Sequence, residues 1–284
     1  METLQLVKNG IFPITKDAHG EVLPKGPATH FSFPGTIQGE GKLAGIPSLF
    51  IRLSGCNLRC AWEMPDGTIS ICDTPESSFD AKNTIRMSIS DIEATLMTNR
   101  GKINHVVITG GEPMMQAQNL GKLCQKLKKQ NFHLTLETNG TIFEHHGVEW
   151  VDLISISPKL STSTPNELRV PDWNLTTAQC LYHQRAIAHL DPLQEFLNFR
   201  KAHPDKELQL KFVVSSVNDI QLIHEEVLDH LTGWRDDDIL LMPLGGTQAE
   251  QRHTEKIAAE AAIKNGWRYS PRLQIELWGH KAGV

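Results

Sequence analysis

The amino-acid sequence predicts an α/β fold in which parallel strands alternate with helices and curl part-way toward a barrel. Three observations carry this. Short runs rich in aliphatic and β-branched residues recur from about residue 48 to the C-terminus, and the longest are apolar almost without interruption, as strands covered on both faces require. Helix-like stretches separate them, and repeated β–α units with right-handed crossovers make an open parallel sheet or a partial (β/α) barrel. The unusual loops all follow the carboxyl ends of the strands, where ligands sit in such folds.

Taken in order, the expected strands are Ser48–Leu53, His105–Thr109, His133–Glu137, Asp152–Ile156, Glu207–Val214, Asp238–Met242 and Arg272–Leu277. Ser90-Asp-Ile-Glu93 reads as a capping box opening one helix, and Ala117–Lys129, Asp219–Leu231 and Gln248–Lys264 supply others. Residues 1–35 form a leader without a clear period. The roughly fifty residues after Lys159 exceed an ordinary αβ connection of about 2–6 residues. They hold a polar loop, Ser161–Pro171, and a helix-like stretch from Thr176 that breaks at Asp191-Pro192. We read residues 1–284 as one domain with an insertion at about 160–206.

Composition excludes several classes. The chain of 284 residues is 39% hydrophobic and 21% charged with a net charge of −5, so no basic surface argues for nucleic acid. No apolar run approaches the ~20 residues that span a bilayer. The N-terminus METLQLVKNG lacks the pattern of a secretory signal, and a cytoplasmic location is the expectation. Five cysteines make a poor disulfide framework. Clustered thiols in a reducing compartment suggest metal or redox chemistry instead.

Cys56, Cys60 and Cys72 fall in one short window, spaced C-x3-C-x11-C. Soft thiolates suit zinc, copper(I) or an iron–sulfur cluster, and the spacing alone does not choose between them. Zinc needs a fourth ligand, and the cysteine loop contains no histidine. Three thiolates on a four-iron cluster leave one iron available to a chelating substrate. Thr109-Gly-Gly-Glu-Pro113, at a strand end, offers close backbone approach, and its carbonyls and Glu112 can accept hydrogen bonds from an ammonium group. The scattered histidines, the His145-His146 pair included, and the dispersed tryptophans read as surface or packing residues.

Gly55-Cys-Asn-Leu-Arg-Cys60, Cys72 and Gly110-Gly-Glu-Pro113 together resemble the radical S-adenosylmethionine superfamily. Phe33-Pro-Gly-Thr-Ile-Gln-Gly-Glu-Gly41, Phe50-Ile-Arg-Leu-Ser-Gly55, Cys72-Asp-Thr74, Glu137-Thr-Asn-Gly140, Ser157-Pro-Lys159 and Arg272-Leu-Gln-Ile-Glu-Leu-Trp-Gly279 are more specific. They resemble the 7-carboxy-7-deazaguanine synthase (QueE) family.

The resemblance implies a radical-type partial barrel and a lyase that contracts the ring of 6-carboxy-5,6,7,8-tetrahydropterin with loss of ammonia, in the queuosine pathway. It implies that Cys56, Cys60 and Cys72 ligate a [4Fe–4S] cluster and that Thr74 ligates Mg²⁺. It implies S-adenosylmethionine contacts from Ile71, Asp73, Gly111, Ser157, Pro158, Lys159, Met242, Pro243, Leu244 and Gly245. Ile37, Gln38, Gly39, Glu40, Arg52 and Thr109 would meet the pterin. It also implies an electron donor such as flavodoxin or ferredoxin, a homodimer, and no direct contact with nucleic acid or membrane.

The residue types suit these roles: an arginine fork matches a carboxylate, and Glu40 or Gln38 could accept from the pterin's N–H edge. Mg²⁺ takes oxygen ligands and keeps waters, so one threonine hydroxyl plus substrate oxygens could suffice.

The chain departs from the family's common C-x3-C-x2-C loop by about nine extra residues, Glu63–Ile71. Ile71 precedes Cys72 where an aromatic is common, while Trp62 keeps the spacing to Cys60. Met242-Pro-Leu stands where a polar residue is often found. A radical enzyme on another substrate, such as a glycyl-radical activase, and a zinc-stabilised binding protein are the competing readings.

Overall fold

The computed structural model describes residues 2–78, 83–173 and 175–284. The strands in chain order are β1 (Thr3–Phe12), β2 (Thr36–Ile37), β3 (Pro47–Leu53), β4 (Ala61–Glu63), β5 (Ile69–Ile71), β6 (Thr84–Ser88), β7 (His105–Gly110), β8 (His133–Thr138), β9 (Leu153–Ile156), β10 (Glu207–Val214), β11 (Ile239–Pro243) and β12 (Arg268–Tyr269). The helices are α1 (Pro75–Ser78), α2 (Ile89–Asn99), α3 (Ala117–Lys129), α4 (His145–Val148), α5 (Thr177–Ala188), α6 (Asp191–Ala202), α7 (Asn218–Leu222), α8 (Gln248–Asn265) and α9 (Leu273–Trp278).

The main sheet runs β12-β11-β10-β9-β8-β7-β3-β1-β6. From β12 to β3 every neighbour is parallel, while β1 and β6 are antiparallel. Successive side chains on a strand point to opposite faces. One face, with Leu49, Ile51 and Leu53 on β3, Val106 and Ile108 on β7, and Leu134 and Leu136 on β8, joins the main core against the helices. The other face carries Ser48, Phe50 and Arg52, then His105, Val107 and Thr109, and is polar at both ends. The two ends of the sheet do not pair with each other, so the sheet curls without closing.

Six of the seven expected strands form, within one or two residues at each end. Arg272–Leu277 is instead the start of α9: its alternating Leu, Ile and Leu mimic a strand, but only Ile275 is buried and Leu277 is 60% exposed. The leader contains β1, whose antiparallel register with β3 explains its lack of helical period. The first helix is capped two residues earlier than Ser90: Ser88 Oγ accepts from Asp91 N at 3.0 Å. The expected helix Asp219–Leu231 breaks after α7 into a wider turn at Ile223–Val227 and a tighter one at Leu228–His230.

Within the stretch after Lys159, α6 is the crossover between β9 and β10, with Leu193, Phe196 and Leu197 in the main core. Pro192 sits in its first turn, where a missing N–H costs nothing. α5 lies elsewhere, over the cysteine loop, where Ala186 and Ile187 pack on Cys60 and its neighbours. Among the described residues no helix is long and apolar enough to cross a membrane.

Candidate active site

The eleven residues between Cys60 and Cys72 fold as a hairpin. β4 and β5 pair with Ala61 opposite Ile71, and the turn is made at Asp66-Gly67, with Gly67 at φ +81°. Cys72 N then donates to Cys60 O at 3.1 Å, so residues twelve apart in sequence become direct neighbours. The long loop therefore closes on itself and keeps its two cysteines together. Trp62, one strand position from Cys60's neighbour Ala61, is buried with Leu58, Cys60, Met64 and Leu244. The aromatic cover thus comes from Trp62, while Ile71 lies half-exposed on the cleft wall.

All three cysteines line one cleft of about 260 Å³ at the carboxyl ends of the strands. Burial pushes the Cys56 thiol up to about 11 and raises Cys60 and Cys72 as well, with Lys159 working the other way at Cys56 and Cys60. Thiols this reluctant to ionise become thiolates on binding metal, which releases their protons. Donors are placed to meet the sulfurs: Leu58 N is 3.4 Å from Cys56 Sγ, and Ser78 Oγ is 3.5 Å from Cys72 Sγ. Thr74 Oγ1 is 3.6 Å from the same Cys72 Sγ. His183, the buried residue of α5 beside the loop, offers no fourth ligand, because Arg59 N and Ser163 Oγ occupy its two ring nitrogens. Among the described residues, the three donors close enough to share a single ion are His145, His146 and Glu149 on exposed α4, and the cysteines form no such group. Three soft ligands in a dry, apolar corner without a fourth suit a cluster with one open iron.

The Gly-Gly-Glu-Pro loop is built for packing as well as access. A Cβ at Gly111 would come within 2.1 Å of Gly55 O and 2.4 Å of Ser77 O, so only glycine lets this loop lie on the cysteine loop. Glu112 is fully buried. Its carboxylate accepts from Met114 N, Thr138 Oγ1 and Asn139 N at 2.9, 2.7 and 2.6 Å. It ties its own loop to the end of β8 rather than reaching for a ligand's ammonium.

The cleft brings together nearly every residue singled out in the sequence. Ile37, Gln38, Gly39, Glu40, Arg52 and Thr109 line it, and so do Ile71, Asp73, Thr74, Gly111, Ser157, Lys159, Met242, Leu244 and Gly245. Pro158 and Pro243 are not on its wall; they shape the backbone between residues that are. Lys159 Nζ donates to Ser157 O and Oγ at 2.7 and 2.6 Å.

Sequence reasoning missed the charged wall. Lys211 on β10 pairs with Glu40 and approaches Glu137 at 3.8 Å; Arg272 Nε donates to Glu40 Oε1 at 3.0 Å, and Gln274 Nε2 to the same oxygen at 2.7 Å. Burial opposes ionisation of Glu40, but Lys211 and Arg272 outweigh it and hold the carboxyl far below its ordinary value. The Lys211 ammonium is held up likewise by Glu40 and Glu137, against burial. Gln38 Nε2 donates to Glu137 Oε1 at 3.1 Å. Gln274 Oε1 is buried against Gly39 without a hydrogen-bond partner. Nothing in the sequence flagged Lys211, since it interrupts an apolar strand like a surface residue.

Arg52 is different. It is half-buried at the end of β3, its guanidinium lies 5.3 Å from the Phe12 ring, and among the described residues no carboxylate is within ion-pair reach. Its fork is directed to the cleft it lines.

A mostly parallel sheet with three thiols at its carboxyl ends and no fourth ligand beside them among the described residues fits an iron–sulfur enzyme of the radical S-adenosylmethionine class. The comparisons agree. Residues 37–162 match the family model of a 4Fe-4S single cluster domain. The chain is 37% identical to the 7-carboxy-7-deazaguanine synthase of Halobacterium salinarum over 86% of this chain and 87% of that one. It is 34% identical to that of Rhodopirellula baltica, over 87% and 85%. The crystal structure of QueE from Escherichia coli superposes with a TM-score of 0.52 at 25% identity, covering 92% of this chain and 94% of that one. The chain belongs to the 7-carboxy-7-deazaguanine synthase family.

Proposed function

We propose that the chain contracts the ring of 6-carboxy-5,6,7,8-tetrahydropterin to 7-carboxy-7-deazaguanine, releasing ammonia. The observation that carries this is Arg52, a half-buried guanidinium on the cleft wall with no carboxylate among the described residues in reach. A planar fork in that state is a receptor for a planar anion, and the substrate's carboxylate supplies one. The rest of that end is lined by acceptors for an amino-pyrimidinone edge. Glu40 is occupied by Lys211, Arg272 and Gln274. Glu137 is therefore the readier acceptor, with Gln38 and Thr109 lining the same cleft.

When bound, the cluster and S-adenosylmethionine supply a carbon radical that removes a hydrogen atom from the substrate. The protein's own work is to hold and exclude. Cys56, Cys60 and Cys72 would hold the cluster, and Leu58, Trp62 and Leu244 keep water from it. Gly111, Ser157, Lys159, Met242, Leu244, Gly245, Ile71 and Asp73 would receive S-adenosylmethionine, with Pro158 and Pro243 fixing the loops. Thr74 would give Mg²⁺ one oxygen, the remaining positions going to substrate and water. A one-electron donor such as flavodoxin or ferredoxin, a homodimer and a reducing cytoplasmic setting complete the reading.

Anaerobic reconstitution with dithionite, S-adenosylmethionine and the carboxylated pterin, read by mass spectrometry, tests it. The deazaguanine is the expected product. 5′-Deoxyadenosine without it would keep the class and reject the substrate; zinc in place of iron and sulfide would reject both.

A further inference from the structure

Arg272 joins three segments that lie far apart in sequence. Its Nε donates to Glu40 Oε1 at 3.0 Å, one Nη to Gly245 O at 2.5 Å, and the other to Asp73 Oδ2 at 2.5 Å. Glu40 belongs to the loop after β2, which would meet the pterin, Gly245 to the loop after β11, which would meet S-adenosylmethionine, and Asp73 adjoins the cysteine Cys72. The side chain is 8% exposed, so these bonds are made out of water. The backbone around it is already anchored to two of the segments: Leu273 N donates to Gly39 O at 3.0 Å and Ser270 N to Leu241 O at 2.8 Å.

Asp73 has no such anchor. Its side chain is 47% exposed, and the Arg272 fork is its one ion-pair partner among the described residues. A guanidinium can serve three directions at once because its N–H groups lie in a fixed plane, whereas a lysine ammonium is a point charge on a flexible stem.

We infer that Arg272 is a positioning residue that couples the two ends of the cleft, so that a ligand seated against the Gly245 loop stiffens the Gln38–Gly41 loop where the second ligand sits. Displacing either loop lengthens a charge-assisted hydrogen bond to the same rigid group, so order at one end is transmitted to the other. The inference rests on the functional reading above only for the place of S-adenosylmethionine. It leaves open which pterin, if any, fills the other end.

The test is amide hydrogen exchange on the cluster-loaded protein, with and without S-adenosylmethionine, for wild type, R272Q and R272K. In wild type the added S-adenosylmethionine slows exchange across residues 38–42 by about tenfold, within the ~5–150-fold range of coupled sites. In R272Q the slowing falls below about twofold, although S-adenosylmethionine still binds and cluster absorbance stays near wild type; its melting temperature drops, because Glu40 loses a buried cation. R272K keeps the buried charge and falls between, which a loss of fold would not produce. Equal slowing in all three proteins overturns the coupling. So does a slowing lost only in proportion to cluster content, and if R272Q fails to load its cluster, R272K decides alone. Wild-type protein that shows the slowing yet makes no deazaguanine refutes the pterin reading while leaving the coupling established.

Discussion

The inner face of the sheet carries a polar layer at each end, and the two layers follow opposite plans. At the amino ends of the strands, Ser48, His105 and Thr135 form a chain across β3, β7 and β8. His105 Nδ1 is 2.7 Å from Ser48 Oγ, His105 Nε2 is 2.8 Å from Thr135 Oγ1, and Ser48 Oγ donates onward to Ile46 O at 2.8 Å. With Ser48 donating to a carbonyl, Nδ1 carries the ring proton and Thr135 donates to Nε2. This layer is neutral, dry and fully satisfied.

At the carboxyl ends the layer is charged and incomplete. Glu40 and Glu137 face Lys211, and Glu40 and Asp73 face Arg272, but Arg52 has no carboxylate in reach among the described residues and keeps its hydrogen-bonding capacity for the cleft. A closed polar layer holds strands in register, while an open one is held ready for a ligand that completes it.

The sharpest way to break the open end is to remove a cluster ligand. Cys72→Ala is expected to abolish both the brown cluster absorbance and all 5′-deoxyadenosine, measured after anaerobic reconstitution. Full activity would show that another residue ligates the cluster. Lys211→Met should follow, because it leaves Glu40 buried with one cation fewer. Loss of one partner of a buried pair costs roughly 3–5 kcal/mol, read as a lowered denaturation midpoint.

The closed end should reveal itself through pH. Burial depresses His105 to about 4, with His133 beside it acting in the same sense and Asp152 opposing. Below an ordinary histidine value of about 6.5 the unfolded chain takes a proton that the folded chain refuses, so stability falls as pH drops from about 6.5 to 4. The total is on the order of 3 kcal/mol for this group. His183, also depressed to about 4 by burial, with Lys159 and Arg59 adding to it, contributes over the same window. His105→Gln should flatten the dependence measured by denaturant unfolding at pH 7 and 4.5, leaving the part due to His183. The smallest effect belongs to Arg52→Ala. Losing one charge-assisted contact costs roughly 1.5–3 kcal/mol in pterin binding, with the melting temperature little changed, since among the described residues Arg52 has no ion-pair partner and only the Phe12 ring contact is lost.

Much of this was legible beforehand, for identifiable reasons. Continuous runs such as Ser48–Leu53 and His105–Thr109 leave few alternatives to buried parallel strands, and the loops after them had to meet on one side. The stretch Arg272–Leu277 misled because alternation is the strand signal, and only packing shows that a single apolar side chain there is buried. Lys211 and Arg272 were unreadable as site residues. A cation among apolar neighbours is informative only when the acid facing it is known, and Glu40 lies 171 residues from one and 232 from the other.

The sequence by itself determined the class of chemistry: three thiols, a Gly-Gly turn and an arginine at strand ends are choices of atoms, and atoms are written in the chain. Only the tertiary structure decided how those atoms meet. The hairpin makes Cys60 and Cys72 neighbours because β4 and β5 recover in hydrogen bonds what the long loop costs in entropy. The charged wall, and the one fork in it that binds three segments at once, exists because the sheet's curl brings β10, the loop after β2 and the C-terminal helix to a single cleft.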